Sequence, residues 1–460
     1  MTHKPKTREK KTRTPTMPVL QSDVAGIDIG STEHWVAGPP RDDAPNVQKF
    51  GTTTPELNRL VEWLVAEGVT SAAMESTSVY WIPLYELLES RGIRAVLVNA
   101  RHFRNVPGRK TDFRDCQWLQ LLHSRGLLRG SFRPTEEIAR VRALQRQMAN
   151  LVAERTKCVQ WMQKALDQMN VQVHRAVTDL TGKTRLAIVR AIVAGDRDPM
   201  HLAEHRDARC RKSKTEIAQC LTGTWRDEHL FNLATALELY DVLDGQIASY
   251  EQRLLCEFEA LQPEERREQP APCHPNRSKE KTMRTRGDQR LRATLWRVVG
   301  ADLTRIDGIA PDGARTIVTE IGTDLGSFPT EDHFVSWLRL CPRTPISGGK
   351  PVKKRRNGLG ATRVTAVLRM GASTLYRSKT ALGAAYRRIA RHKGASVAVM
   401  AIARQIARLI YRMLRFGQDY VDVGEAAYEA RYATRRLASL KEAARNLGYT
   451  LAEKDPTLAT

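Results

Sequence analysis

Nine positions from Val141 to Met169 recur at alternating steps of three and four: Val141, Leu144, Met148, Leu151, Arg155, Cys158, Met162, Ala165 and Met169. That spacing keeps one side of an α-helix largely apolar for about four heptads, and no strand pattern sustains it. Leu233, Ala236, Tyr240, Leu243, Ile247, Tyr250 and Leu254 repeat it. Residues 136–261 are therefore expected to form a helical coiled-coil region. Two arrangements satisfy the seams equally. The two helices pack on each other as in a bundle, or they join subunits into a homo-dimer or homo-tetramer.

The segment before the seam has a different period. Val24–Ile29, His34–Ala37 and Val47–Gly51 read as three short strands. Thr54-Pro55-Glu56 then starts a helix, with a hydroxyl, a proline and an acid in the order a first turn favours. Leu57, Leu60, Val61, Leu64 and Val65 fall on its apolar face. Strands at Ala72–Glu75 and Ile93–Val98 alternate with helices at Trp81–Leu88 and Asp112–Leu122. The pattern alone specifies an α/β domain over residues 23–130, and its order is that of a ribonuclease H-like fold. At 460 residues with 41% apolar composition, the chain is long enough for two or three cores.

The formal charge of +23 favours a polyanionic partner. Residues 341–418 carry 18 Lys or Arg and no Asp or Glu, which reads as a phosphate-facing surface. Residues 1–22, basic and without apolar period, read as a disordered arm. Residues 262–300 read as a linker or insertion, because 262–292 are rich in Pro, Arg, Glu and Lys. A mostly helical domain is expected over 301–418, with a helical tail over 419–460. Within it, helices at Ala361–Ser378 and Ala395–Phe416 are expected. Leu303, Ile306, Ile309, Ala314, Ile317 and Ile321 flank a turn through Gly308, a helix-hairpin-helix-like pattern whose amides can meet a phosphate. The seven cysteines show no paired spacing for a disulfide framework or zinc. The chain lacks an apolar run long enough to span a membrane, so a cytoplasmic, nucleoid-associated protein is expected.

Several residues invite chemistry. Asp28 lies mid-strand in Gly26-Ile27-Asp28-Ile29-Gly30, facing away from its isoleucine neighbours. An acid there is costly unless paired or bound to a metal. Glu75 poses the same problem after Ala72-Ala73-Met74. Asp112 and Asp115, three apart near a helix start, share a face. Singly, Asp112 reads as a helix cap and Glu75 as a partner for arginine. Together the four carboxylates can hold two divalent ions that clamp a phosphodiester. Ser347 stands before Gly348-Gly349-Lys350, with Lys353, Lys354, Arg355, Arg356 and Arg363 following. Glycines permit an exposed turn, and the cations favour a phosphate nearby.

These pieces resemble the insertion-sequence transposases of the IS one-ten family, from about Val24 to about Phe416. The resemblance rests on Gly26-Ile27-Asp28-Ile29-Gly30, Met74-Glu75-Ser76-Thr77, Lys110-Thr111-Asp112-Phe113-Arg114-Asp115, Ile306-Asp307-Gly308-Ile309, Thr319-Glu320-Ile321-Gly322 and Pro345-Ile346-Ser347-Gly348. It implies a RuvC-like DEDD domain followed by a serine-bearing transposase domain. It further implies magnesium (or manganese) on Asp28, Glu75, Asp112 and Asp115, and attack on DNA by Ser347 to form a phosphoserine link. Donor and target DNA and a structured guide RNA are the implied partners. Asp307 and Ala310 depart from the family's usual Pro-Gly-Ile-Gly hairpin.

Other readings share parts of this pattern. A Holliday-junction resolvase needs the acidic domain but not the basic one. A DEDD exonuclease would want an acid at the position of Gly30. A remnant that binds nucleic acid without cutting it would keep the charge alone.

Overall fold

Val24–Ile29 forms β1, the middle strand of a five-stranded sheet, and its near-continuous apolar run matches a strand covered on both faces. Glu33–Ala37 (β2) and Val47–Gly51 (β3) continue from it as an antiparallel meander. Ser71–Glu75 (β4) and Arg94–Val98 (β5) pair parallel on its other side, giving the order β3-β2-β1-β4-β5. This is the ribonuclease H-like arrangement expected from the element order. The computed structural model describes residues 17–41, 46–76, 78–99, 112–176, 182–207, 212–276, 280, 283, 286–341, 346–347, 350–351 and 362–452. The chain divides into two units, residues 1–133 and 134–460.

In the first unit, Thr54–Ala66 (α1) and Trp81–Ser90 (α2) cover one sheet face. Ala25, Ile27 and Ile29 of β1 meet Leu57, Leu60, Val61 and Leu64 there. Val65, expected on that apolar face, is instead 51% exposed. Asp112–Ser124 (α3) lies across β1, β2 and β4 on the opposite face. Its far end is fixed by His123, whose Nε2 stands 2.9 Å from Ser71 Oγ, and by backbone bonds from Leu20 and Gln21 to Ser124.

The second unit begins with Glu136–Gln168 (α4). Val173–Ala176 (α5), Lys183–Val193 (α6), Pro199–Glu204 (α7) and Lys214–Leu221 (α8) follow, then Asp227–Ala260 (α9). At 33 residues, α4 is about 50 Å long. It packs along α9 in the same chain. Arg140 pairs with Glu257 at 3.8 Å and Arg155 with Asp244, so the two helices run antiparallel. The heptad seams meet each other within the chain, the bundle arrangement. Met162, Leu166 and Met169 join Ile188, Leu202, Ile217 and Leu233 in a core that includes the small helices.

The described parts of residues 262–292 include helical turns and buried contacts. Glu264–Arg267 (α10) is a short helix, and Arg286–Val299 (α11) begins inside the segment. Arg292 makes a buried ion pair with Asp302 at 2.6 Å and also donates to the Pro272 carbonyl. His274 is buried, its ring within 3.2 Å of the Thr304 carbonyl, so it serves packing.

Beyond a 3₁₀ turn at Leu303–Arg305 lie Pro311–Ile321 (α12) and Glu331–Trp337 (α13). Two short strands follow, Ile346–Ser347 (β6) and Lys350–Pro351 (β7). Arg363–Thr374 (α14), Ala381–Lys393 (α15), Ala395–Phe416 (α16) and Gly424–Asn446 (α17) complete the unit. The Arg363–Thr374 and Ala395–Phe416 helices agree with expectation, whereas α15 was not foreseen. Ile402, Ile406, Ile410 and Tyr411 bury one face of α16, where Tyr411 Oη donates to the Phe328 carbonyl at 2.8 Å. No described helix is long and apolar enough to cross a membrane.

Candidate active site

The acids are organised by strand register. Gly26 pairs with Ala73 and Ile27 with Met74, so Asp28 and Glu75 end side by side on β1 and β4. Neighbouring strands lie about 4.8 Å apart. Because Ile27 and Met74 enter the core under α1 and α2, Asp28 and Glu75 face α3. Both are half-buried, and both have interactions within the fold.

Helix α3 reaches the same place from above the sheet. A β-carbon on Gly26 would stand 2.2 Å from the Gln120 nitrogen and 2.3 Å from the Cys116 carbonyl oxygen. Only glycine permits this approach of helix to strand. The helix runs opposite to β1, so its first turn lies at the carboxyl end of the strands. Asp115 is in that turn and half-buried; Asp112 begins the helix, and its side chain lies outside the described residues.

Cys116 reports the local field. Burial pushes its thiol up to about 12, and the charges of Asp28 and Asp115 both push it the same way. Two carboxylates from a strand and a helix thus act on one sulfur. The thiol stays protonated at neutral pH and offers no thiolate to compete with oxygen ligands. Hard carboxylate donors suit magnesium or manganese. Among the described residues, no three His, Cys, Asp or Glu stand close enough to hold a metal ion.

Trp35, Lys49 and Glu33 were not singled out by the sequence. Asp28 pairs with Trp35, and Trp35 with Lys49, so the three form a row on one sheet face. Trp35 Nε1 donates to Glu33 Oε1 at 3.1 Å. Lys49 Nζ is 2.7 Å from Glu33 and 5.8 Å from the Trp35 ring centre. The signal was alternation along β2, which becomes informative only once its register against β1 is known.

In the second unit, Ser347 pairs with Lys350 across β6 and β7. Its side chain, that of Lys350, and Lys353, Lys354, Arg355 and Arg356 lie outside the described residues. Arg363 begins α14 with its guanidinium 4.0 Å from Glu320, directed at a protein carboxylate. Arg146 also grips Glu320 with two bonds, 2.8 and 2.7 Å. Arg142 donates to the Thr319 and Glu320 carbonyls at 3.1 and 2.6 Å. Burial raises the Glu320 carboxyl, but the bond and charge of Arg146 with the charges of Arg142 and Arg363 outweigh it and leave the group below its ordinary value. Glu320 thereby ties α4 to α12 and α14.

Two features of this unit gain detail. The turn at Gly308 packs closely on α14: a β-carbon there would meet the Gly371 carbonyl oxygen at 2.5 Å, and Ile306, Asp307 and Ile309 are buried. The acid-free stretch is also less uniform than its sequence. Arg404 and Arg408 pair with Asp332, Arg412 with Glu331, and Arg415 with Asp324, so acids outside the stretch answer these four of its 18 cations.

Comparison with known families gives two matches. A DEDD transposase model of the IS110 type, described as "Transposase", matches residues 25–171. The model described as "Transposase IS116/IS110/IS902 family" matches residues 300–387. No curated protein matches the chain. The two models together span about half of the chain, on the sheet domain with α4 and on the later helices, and both name one kind of enzyme. The chain belongs to the IS110 family of insertion-sequence transposases.

Proposed function

We propose that the protein cuts and rejoins DNA through two chemical groups, an acidic metal site and a serine nucleophile. The observation that carries this reading is that Asp28, Glu75 and the first turn of α3 lie on one face of the sheet at the carboxyl ends of β1 and β4. Asp28, Glu75, Asp112 and Asp115 would hold magnesium or manganese. When bound, such an ion neutralises phosphate oxygens and stabilises charge that develops on the oxygens exchanged at phosphorus. The carboxylates also place negative charge on a half-buried surface that is stable only with a cation or donor opposite.

Ser347 would supply the attacking oxygen. Its Oγ forms a bond to a backbone phosphorus while a phosphorus–oxygen bond of the same strand breaks, and the proton from the serine passes to the departing oxygen. The product is a phosphoserine link that preserves the phosphodiester for rejoining when a hydroxyl of another strand attacks it. Lys350, Lys353, Lys354, Arg355 and Arg356 would draw the phosphate toward the serine. Structured RNA encoded by the element would pair with donor and target DNA and choose the sites.

The test is an adduct assay. End-labelled DNA carrying an element terminus is incubated with the full chain, the guide RNA and magnesium, then resolved on a denaturing gel. The reading expects a protein-linked band that Ser347→Ala abolishes. An adduct of undiminished yield in that variant moves the nucleophile elsewhere.

A further inference from the structure

We propose that the cleft between α15 and α17 is a second nucleic-acid contact, binding backbone phosphate through Arg388, Arg391 and Arg436. The cavity has a volume of about 340 Å³ and is lined by residues of both helices. It opens largely beyond residue 387, where the family match on these helices ends. The proposal rests on the transposase reading for its ligand class and extends that reading to a part of the chain it does not use.

The arginines of this region differ in what they face. Those of α16 are held by Glu331, Asp332 and Asp324. Arg387 is likewise occupied, by Glu425 and by the Ser378 carbonyl at 2.6 Å. Arg391 and Arg436 line the cleft with no acidic partner among the described residues. Both are exposed, and His392 adds a further donor beside Arg391.

Arg388 is prepared in another way. Its guanidinium lies 3.9 Å from the ring centre of Tyr432 and 5.1 Å from that of Tyr428. Stacking fixes the guanidinium plane while leaving its edge N–H groups to donate, the geometry that suits two oxygens of one phosphate. Glu429 also lines the cleft. Three arginines against that one uncommitted carboxylate leave the cleft positive. Glu429 weakens an anion's hold, which gives the site a distinctive signature: removing it should tighten binding. Interleaved arginine and tyrosine on a positive cleft suits a nucleic-acid backbone better than an apolar ligand.

The experiment measures binding of the full chain to two labelled probes, duplex DNA of the element terminus and RNA transcribed from its flank, across a salt series. The double variant Arg391→Gln, Arg436→Gln should bind at least one probe about tenfold more weakly. Its slope of log affinity against log salt should be shallower by about one to two, since each phosphate contact contributes about 0.9. Glu429→Gln should bind the same probe several-fold more tightly. Loss confined to one probe assigns the cleft to that nucleic acid. Arg391 is exposed at the end of α15 and no described residue of α17 is buried, so these variants should melt as the wild type does. Unchanged affinity and slope for both probes in the double variant, with wild-type cleavage intact, would overturn the cleft and leave the transposase reading standing. A wild-type chain that neither binds nor cuts would overturn that reading as well.

Discussion

Gly26 on β1 and Gln120 on α3 approach so closely that a β-carbon on the glycine would stand 2.2 Å from the Gln120 backbone nitrogen. This contact sets the height of α3 above the sheet, and with it the distance of Asp115 from Asp28. Gly26→Ala must push the helix backbone away, because no flexible side chain can yield. The variant should lose about 1–3 kcal/mol in denaturant unfolding, the cost of overpacking. DNA cleavage should fall at least tenfold. Unchanged cleavage would show that the position of α3 is not critical.

Glu320 and Arg146 make the second test, one of architecture. Glu320 is buried and answered by two close guanidinium bonds. Glu320→Gln leaves Arg142 and Arg146 without their carboxylate and should cost about 3 kcal/mol, the low end for breaking a buried pair. The folded pKa lies below the ordinary value, so this stabilisation is full above pH 4.5 and is lost as pH falls through the lowered value. Melting of the wild type and variant should therefore converge in strong acid. Equal melting at pH 7 would remove Glu320 as the tie between the helices.

Much of the first unit was legible because its signals are local. Ile27 and Ile29 announce a core face, which leaves Asp28 on the other side whatever the partner strands are. Register was not legible, so Trp35 and Lys49 could not be placed beside Asp28. In the second unit the heptad seams were plain, but their mutual use in one chain depends on contacts far apart in sequence, such as Arg155 with Asp244. Helix α15 was missed because, of its five buried residues, Gly383, Ala384 and Ala385 carry little hydrophobic signal, and Leu382 and Tyr386 alone do not set a helical period. The partners of individual cations in the charge run were not legible for a related reason: Arg408 and Asp332 are neighbours in the fold, not in the sequence.

His123 gives a pH-dependent prediction. Burial lowers its pKa from 6.5 to about 4, with the charge of Arg94 adding to the effect. The ring is held neutral beside Ser71. A depressed pKa stabilises the fold fully above about pH 6.5, and that contribution fades as pH falls toward 4. The loss is about 3 kcal/mol. Thermal melting followed from pH 7 to pH 4 should decline in the wild type and flatten in His123→Gln. Parallel declines would place the acid sensitivity elsewhere.

The packing of α4 on α9 leaves open how acids and serine are shared among chains, and mixing variants resolves it. Asp28→Asn and Ser347→Ala proteins should each be inactive alone. If the working enzyme is an oligomer with composite sites, mixed oligomers should recover part of the recombination. Absence of recovery in oligomers shown to be mixed would assign both groups to one chain.

The most direct measurement is strand cleavage by Asp28→Asn and Asp115→Asn, compared with the affinity of each for the same DNA in the presence of magnesium. The account predicts that cleavage falls by at least a thousandfold in both, order-of-magnitude behaviour for loss of a metal-holding carboxylate, while DNA affinity stays within a few-fold of wild type. Cleavage at the wild-type rate by either variant would contradict the assignment of these carboxylates to the chemistry.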